Sequence, residues 1–106
     1  MANYQNYQEQ LVSYGGQGTV SVPTGAANTV IKGSTGRLCR AVVTTTGTGA
    51  GNVQFFDNAT TNSGTVVAAI PANAAAGQSF DFHMPCVNGI VAQNVLNGPV
   101  ITVSFI

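Results

Sequence analysis

The chain has 106 residues, enough to close one hydrophobic core and too few for two, so a single domain is expected. Only 6% of its residues are charged, three basic and three acidic, for a net charge of zero, against roughly 25% in ordinary soluble proteins. Three cations, Lys32, Arg37 and Arg40, are too few to neutralise a run of phosphates, which argues against nucleic acid as a partner. The apolar runs are too short to span a bilayer, which argues against a membrane.

Residues 1–17 are rich in Gln, Asn and Tyr and have no apolar face of helical or strand period, so they read as an N-terminal arm or linker. This stretch also lacks the basic start and apolar core of a secretory signal, so synthesis in a cytoplasm is expected. All the tyrosines of the chain, Tyr4, Tyr7 and Tyr14, lie in this arm. Tyr is favoured at wet protein interfaces, which makes these three candidate contact residues.

Residues 18–106 form the expected domain. From Thr19 onward, runs of Val, Ile, Thr and Phe alternate with Gly, Pro, Asn and Ala clusters, the pattern of an all-β protein with about eight strands. The expected strands are Thr19–Val22, Thr29–Lys32, Arg37–Thr46, Asn52–Asp57, Gly64–Ile70, Ser79–Met84, Gly89–Gln93 and Val100–Phe105.

Ile101, Val103 and Phe105 alternate with Thr102 and Ser104, giving a strand with one buried and one hydroxyl-lined face. Val20 and Val22 repeat the pattern against Thr19 and Ser21, and Phe80, Phe82 and Met84 against Asp81 and His83. Two sheets with one apolar face each must cover one another, so an antiparallel β-sandwich is expected, jelly-roll-like at this strand number. The absence of Trp argues against an immunoglobulin-type sandwich.

Strict alternation sends Arg37 and Arg40, three apart in one strand, to opposite faces. Each is a candidate contact residue. The run Thr46-Gly47-Thr48-Gly49-Ala50-Gly51 reads as a tight reversal; with no Lys-Ser or Lys-Thr pair after it, it is not a phosphate loop. Ala72–Ala76, fenced by Pro71 and Gly77, reads as a crossing loop. Asp57-Asn58 reads as the start of a turn, and the glycosylation pattern at Asn58-Ala59-Thr60 as coincidence without a secretory route.

The material for chemistry is thin: one His, His83, and two cysteines, Cys39 and Cys86. His83 and Cys86 have the spacing of half a zinc site, but only Cys39 and two Asp are left to complete the four ligands. A solvated or interface imidazole on the outer face is the simpler reading. A cytoplasmic origin favours thiols at Cys39 and Cys86, with a bridge between them as the alternative. Without a catalytic motif the chain is read as a non-enzyme, and no cofactor or metal is expected.

The segments Gly36-Arg37-Leu38-Cys39-Arg40-Ala41-Val42-Val43, Val53-Gln54-Phe55-Phe56-Asp57-Asn58, Ser63-Gly64-Thr65-Val66-Val67, Gly89-Ile90-Val91 and Val100-Ile101-Thr102-Val103 follow one another in the chain. Together they resemble small virion proteins of tailed bacteriophages, namely capsid decoration, cement or head-fibre subunits. The resemblance covers residues 28–106 and rests on strand and turn positions.

It implies a structural virion protein on the outside of a capsid, stabilising the shell without doing chemistry. The implied partners are the major capsid protein and copies of itself, as a homotrimer, and the implied location is the virion after synthesis in a host cytoplasm. The competing expectations are a tail, fibre or baseplate component, and a receptor- or carbohydrate-binding sandwich.

Overall fold

A computed structural model describes residues 16–106; the arm candidates Tyr4, Tyr7 and Tyr14 lie outside the described residues. The chain forms β1 (Gly18–Val22), β2 (Thr29–Lys32), β3 (Gly36–Thr45), β4 (Asn52–Phe56), β5 (Val66–Pro71), β6 (Ser79–Cys86), β7 (Ile90–Gln93) and β8 (Val100–Phe105). Each expected strand is present, and no helix occurs among the described residues. β5 starts at Val66 rather than Gly64, because Gly64 takes φ +93° and belongs to the preceding loop. β6 runs on through Pro85, which is tolerated because β6 is an edge strand.

The strands form two four-stranded sheets, ordered β1-β8-β3-β6 and β2-β7-β4-β5. Their pairings are antiparallel throughout. Pairings β1·β8, β2·β7, β3·β6 and β4·β5 are those of one long hairpin turned at the β4–β5 loop. Rolling that hairpin so that β8 also meets β3, and β7 also meets β4, closes both sheets. This is the jelly-roll topology.

The expected alternation builds the core. In the first sheet Val20, Val103, Ala41 and Phe80 lie in one row and Val22, Ile101 and Val43 in the next, turned inward. Leu38, Ala41, Val103 and Ile101 are fully buried. From the second sheet Val53, Phe55, Ile70, Ile90 and Ala92 meet them. Phe55 of β4 and Phe82 of β6 join the two layers, their ring centroids 5.6 Å apart and tilted by 53°. Such tilted aromatic pairs are favoured over face-to-face stacking.

One expectation about facing is overturned by a β-bulge. The step from Leu38 to Arg40 on β3 matches the single step from Phe105 to Ser104 on β8, so β3 carries an extra residue at Cys39. Leu38 and Ala41 therefore both point inward, and their neighbours Arg37 and Arg40 both lie on the outer face rather than on opposite ones. The same β3 step faces Met84 to Asp81 on β6, which adds a bulge at Phe82-His83, with His83 at φ +53°. Met84, paired with the inward Leu38, keeps the expected facing but lies 37% exposed and outside the core cluster that Phe80 and Phe82 pack against.

At one end of the sandwich, the β1–β2, β3–β4, β5–β6 and β7–β8 loops are knitted together. Asn94, the buried polar residue of the described chain at 3% exposure, is the knot. Its side-chain amide donates to the carbonyls of Pro23 (3.0 Å) and Pro99 (2.7 Å), and its Oδ1 accepts from the Val95 amide. Its own backbone N–H donates to Ala26 O.

Gly47, expected to serve a tight reversal, serves close approach instead. A Cβ there would collide with the Ala72 carbonyl and with Pro99. The crossing loop 72–78 also contributes to the core, since Ala72 and Ala74 are buried.

Replacing Asn94 with Ala strips the donor from two carbonyls in a closed environment. The expected loss is about 2–3 kcal/mol of folding stability, read as a lower urea midpoint at unchanged slope.

Candidate interaction surface

The two outer faces of the sandwich differ. On the first sheet, the pairing aligns Thr19, Ser104, Arg40 and Asp81 across four strands, and Ser21, Thr102, Val42 and Ser79 across the next row. Side chains paired in register share a face. The result is a hydroxyl-lined surface with Val42 set into it, 36% exposed.

On the second sheet the outer row is apolar: Val30, Val91, Phe56 and Val66. Its centre is covered and its ends are open, with Val91 and Phe56 at 0% and 7% exposure against 45% and 44% for Val30 and Val66. The β4–β5 loop accounts for this, because it folds back across β7 to the start of β2. There Asn62 Nδ2 donates to Ala27 O (3.0 Å) and Asn28 Nδ2 donates to Thr60 O (2.9 Å).

The charged candidates sit on the open first sheet. Arg40 Nε donates to Asp81 Oδ1 at 2.5 Å, with side chains 41% and 52% exposed. An ion pair this exposed stabilises the fold little; at the surface it offsets the Arg40 charge. Arg37 donates from a guanidinium nitrogen to the His83 carbonyl at 3.2 Å. That bond spans the His83 bulge from the neighbouring strand, so Arg37 holds the edge of the sheet. The fold thus brings Arg37, Arg40, Asp81 and His83 together at one side of this face.

Asp57 has a role that the sequence does not reveal. Its carboxylate accepts from the backbone amides of Asn88 (2.8 Å), Val87 (3.2 Å) and Gly89 (3.4 Å), fastening the β6–β7 turn to the end of β4. These bonds, Asn88's foremost, hold the Asp57 carboxyl below its ordinary range, against a smaller upward push from burial. Asn58 makes the expected turn, its Oδ1 accepting from the amides of Thr60 and Thr61, both at 3.0 Å.

Cys39 and Cys86 are buried thiols and are not joined by a disulfide. Burial raises the pKa of both; for Cys39 the nearby Arg37 and Arg40 pull the other way, and for Cys86 the Asp57 charge adds to the rise. Among the described residues no three of His, Cys, Asp and Glu gather as metal ligands would. Nor is any helix there long and apolar enough to cross a membrane.

No family model matches the chain, and neither a curated protein nor a solved structure matches it.

Two measurements follow from this geometry. A carboxyl with a lowered folded-state pKa stabilises above its unfolded value of about 3.9 and loses that contribution as pH falls through the folded value. Asp57→Asn is therefore expected to melt at a lower temperature than the parent at neutral pH, with the gap closing as the pH drops below about 4. A gap that persists unchanged in acid would contradict the role given to the carboxylate. Both thiols are expected to resist an aromatic disulfide reagent at neutral pH in the folded protein and to react fully once denaturant is added, because thiolate formation and access both require opening.

Proposed function

We propose that this chain is a non-enzymatic structural protein of a virion that binds the outside of a viral capsid and stabilises it. The observation that carries the reading is the outer face of the first sheet: four strands wide, hydroxyl-lined and poor in charge, with Val42 at its middle. Covering such a face strips water from few ions, so a large contact forms without the desolvation penalty that charged surfaces impose. Val42 and the aliphatic part of Arg40 supply apolar area, and the hydroxyls of Thr19, Ser21, Thr102 and Ser79 supply adaptable hydrogen bonds.

The ionisable groups also favour a binding module. Asp57 is committed to the β6–β7 turn and Asp81 pairs with Arg40, so each Asp of the described domain has a partner within the fold. The order of strand motifs over residues 28–106, which resembles the small virion proteins of tailed phages, directs this binding face to a capsid. The major capsid protein and copies of the chain itself are the partners in this reading. Arg37 and Arg40 contact them from the domain, and Tyr4, Tyr7 and Tyr14 from the arm.

Such a protein acts by linkage. It binds the assembled shell more tightly than dispersed subunits, so each bound copy shifts the equilibrium towards the shell. Repetition over a symmetric lattice turns modest contacts into strong retention.

The test is co-sedimentation of the purified chain with shells of the virus that encodes it. Saturable binding at a fixed number of copies per capsid subunit is expected. Val42→Lys, which sets a charge into the middle of the face, is expected to weaken it by about tenfold or more. A folded chain that does not sediment with shells at any concentration would overturn the reading.

A further inference from the structure

We propose that the free edge of β1 is a self-association site, at which β1 of a second copy of this chain pairs antiparallel about a two-fold axis to join two first sheets into one. The inference concerns the purified chain alone and does not depend on the capsid reading.

A sheet edge presents unpaired backbone N–H and C=O groups, and proteins that stay apart blunt their edges with proline, charge, bulges or a covering loop. Three of the four edges here are blunted. β6 contains Pro85 and the bulge at His83. β5 ends in Pro71. β2 has a register break between Val30 and Lys32, carries the Lys32 charge, and has the β4–β5 loop bound at its start.

Among the described residues β1 has none of these devices. Its sequence, Gly-Thr-Val-Ser-Val, is uncharged and free of proline, and its pairing with β8 runs through five consecutive residues without a bulge. The contact with β8 extends just ahead of β1, since the Gln17 amide donates to the Phe105 carbonyl and Gly16 lies against the Phe105 backbone. Among the described residues nothing pairs with the other side of β1.

The occupant follows from the strand's self-complementarity. When two copies of β1 run antiparallel and are centred on Val20, Val20 meets its own copy, Thr19 meets Ser21 of the second copy, and Gly18 meets Val22. Every inward residue faces an inward one and every outward residue an outward one, as a two-fold contact requires.

The core also continues across the junction. The row Val20, Val103, Ala41, Phe80 has Val103 and Ala41 at 0% exposure, while Val20 at its end is only partly buried. A second Val20 closes that end. The hydroxyl-lined outer rows run on into the partner in the same way, so pairing doubles the width of that face. No charge lies on either β1, so like copies meet without repulsion.

The test uses the full chain in sedimentation equilibrium, with circular dichroism to check the fold. The parent is expected to dimerise reversibly. Thr19→Lys combined with Ser21→Lys sets lysine opposite lysine at both outward positions and is expected to raise the dimer dissociation constant by about tenfold or more. Thr19→Lys combined with Ser21→Glu changes the same two exposed positions but sets lysine opposite glutamate, and is expected to remain dimeric. A parent that is monomeric throughout, an oligomer that the double-lysine chain keeps, or equal behaviour of the two double variants would each overturn the proposal.

Discussion

The placement of β8 between β1 and β3 is the constraint on which the rest of the molecule depends. β8 is the last strand in the chain, yet it supplies the middle of the first sheet, with Ile101 and Val103 fully buried beneath it. It also fixes the end of the chain, because Ile106 and Arg37 exchange backbone hydrogen bonds. Without β8, β1 would have no partner, β3 and β6 would stand as an isolated ribbon, and the hydroxyl rows of the outer face would lose their centre. Pairing β1 with β8 brings residues far apart in sequence together before their contacts stabilise the sheet, a non-local closure whose entropy cost slows folding.

A second theme is how a chain with so few charges holds its loops. The work falls to amides, hydroxyls and one carboxylate acting on backbone groups far away in sequence. Asn94 ties two loops at one end, Asp57 fastens a turn at the other, and Asn28 and Asn62 draw the β4–β5 loop over the second sheet. Within the described residues, no buried side-chain nitrogen or oxygen lacks a hydrogen-bond partner. Neutral hydrogen bonds of this kind contribute modestly when made and cost more when broken, so they specify loop positions more than they add to stability.

The two bulges connect these themes to function. The extra residue at Cys39 places both Arg37 and Arg40 on the open face, and the bulge at His83 distorts the β6 edge that Arg37 then spans. One side of the first sheet is thereby closed to further strands, while the opposite side, β1, stays regular. The same sheet has a blunted edge and, among the described residues, a regular one, with a hydroxyl-lined face between them.

Much of this was legible in the sequence, because the signals involved are local. Alternation in Thr19–Val22 and Val100–Phe105 fixes which side chains are buried, since successive residues of a strand must point opposite ways. The Gly, Pro and Asn clusters mark where strands stop, and Asp57-Asn58 announces a turn. The eight strands, the sandwich and the hydroxyl-lined face all follow from that local chemistry. The tertiary structure alone decided which strands are neighbours, where the register slips, and what the polar groups hold. A bulge is set by the strand beside it, so nothing within Arg37-Leu38-Cys39-Arg40 shows that both arginines share a face. Asp57 meets Asn88 across 31 positions of chain, and Asn94 meets Pro23 across 71. Such pairs form only once the sheets have closed, because it is the long-range pairing of strands, and no local preference, that brings them within hydrogen-bonding distance.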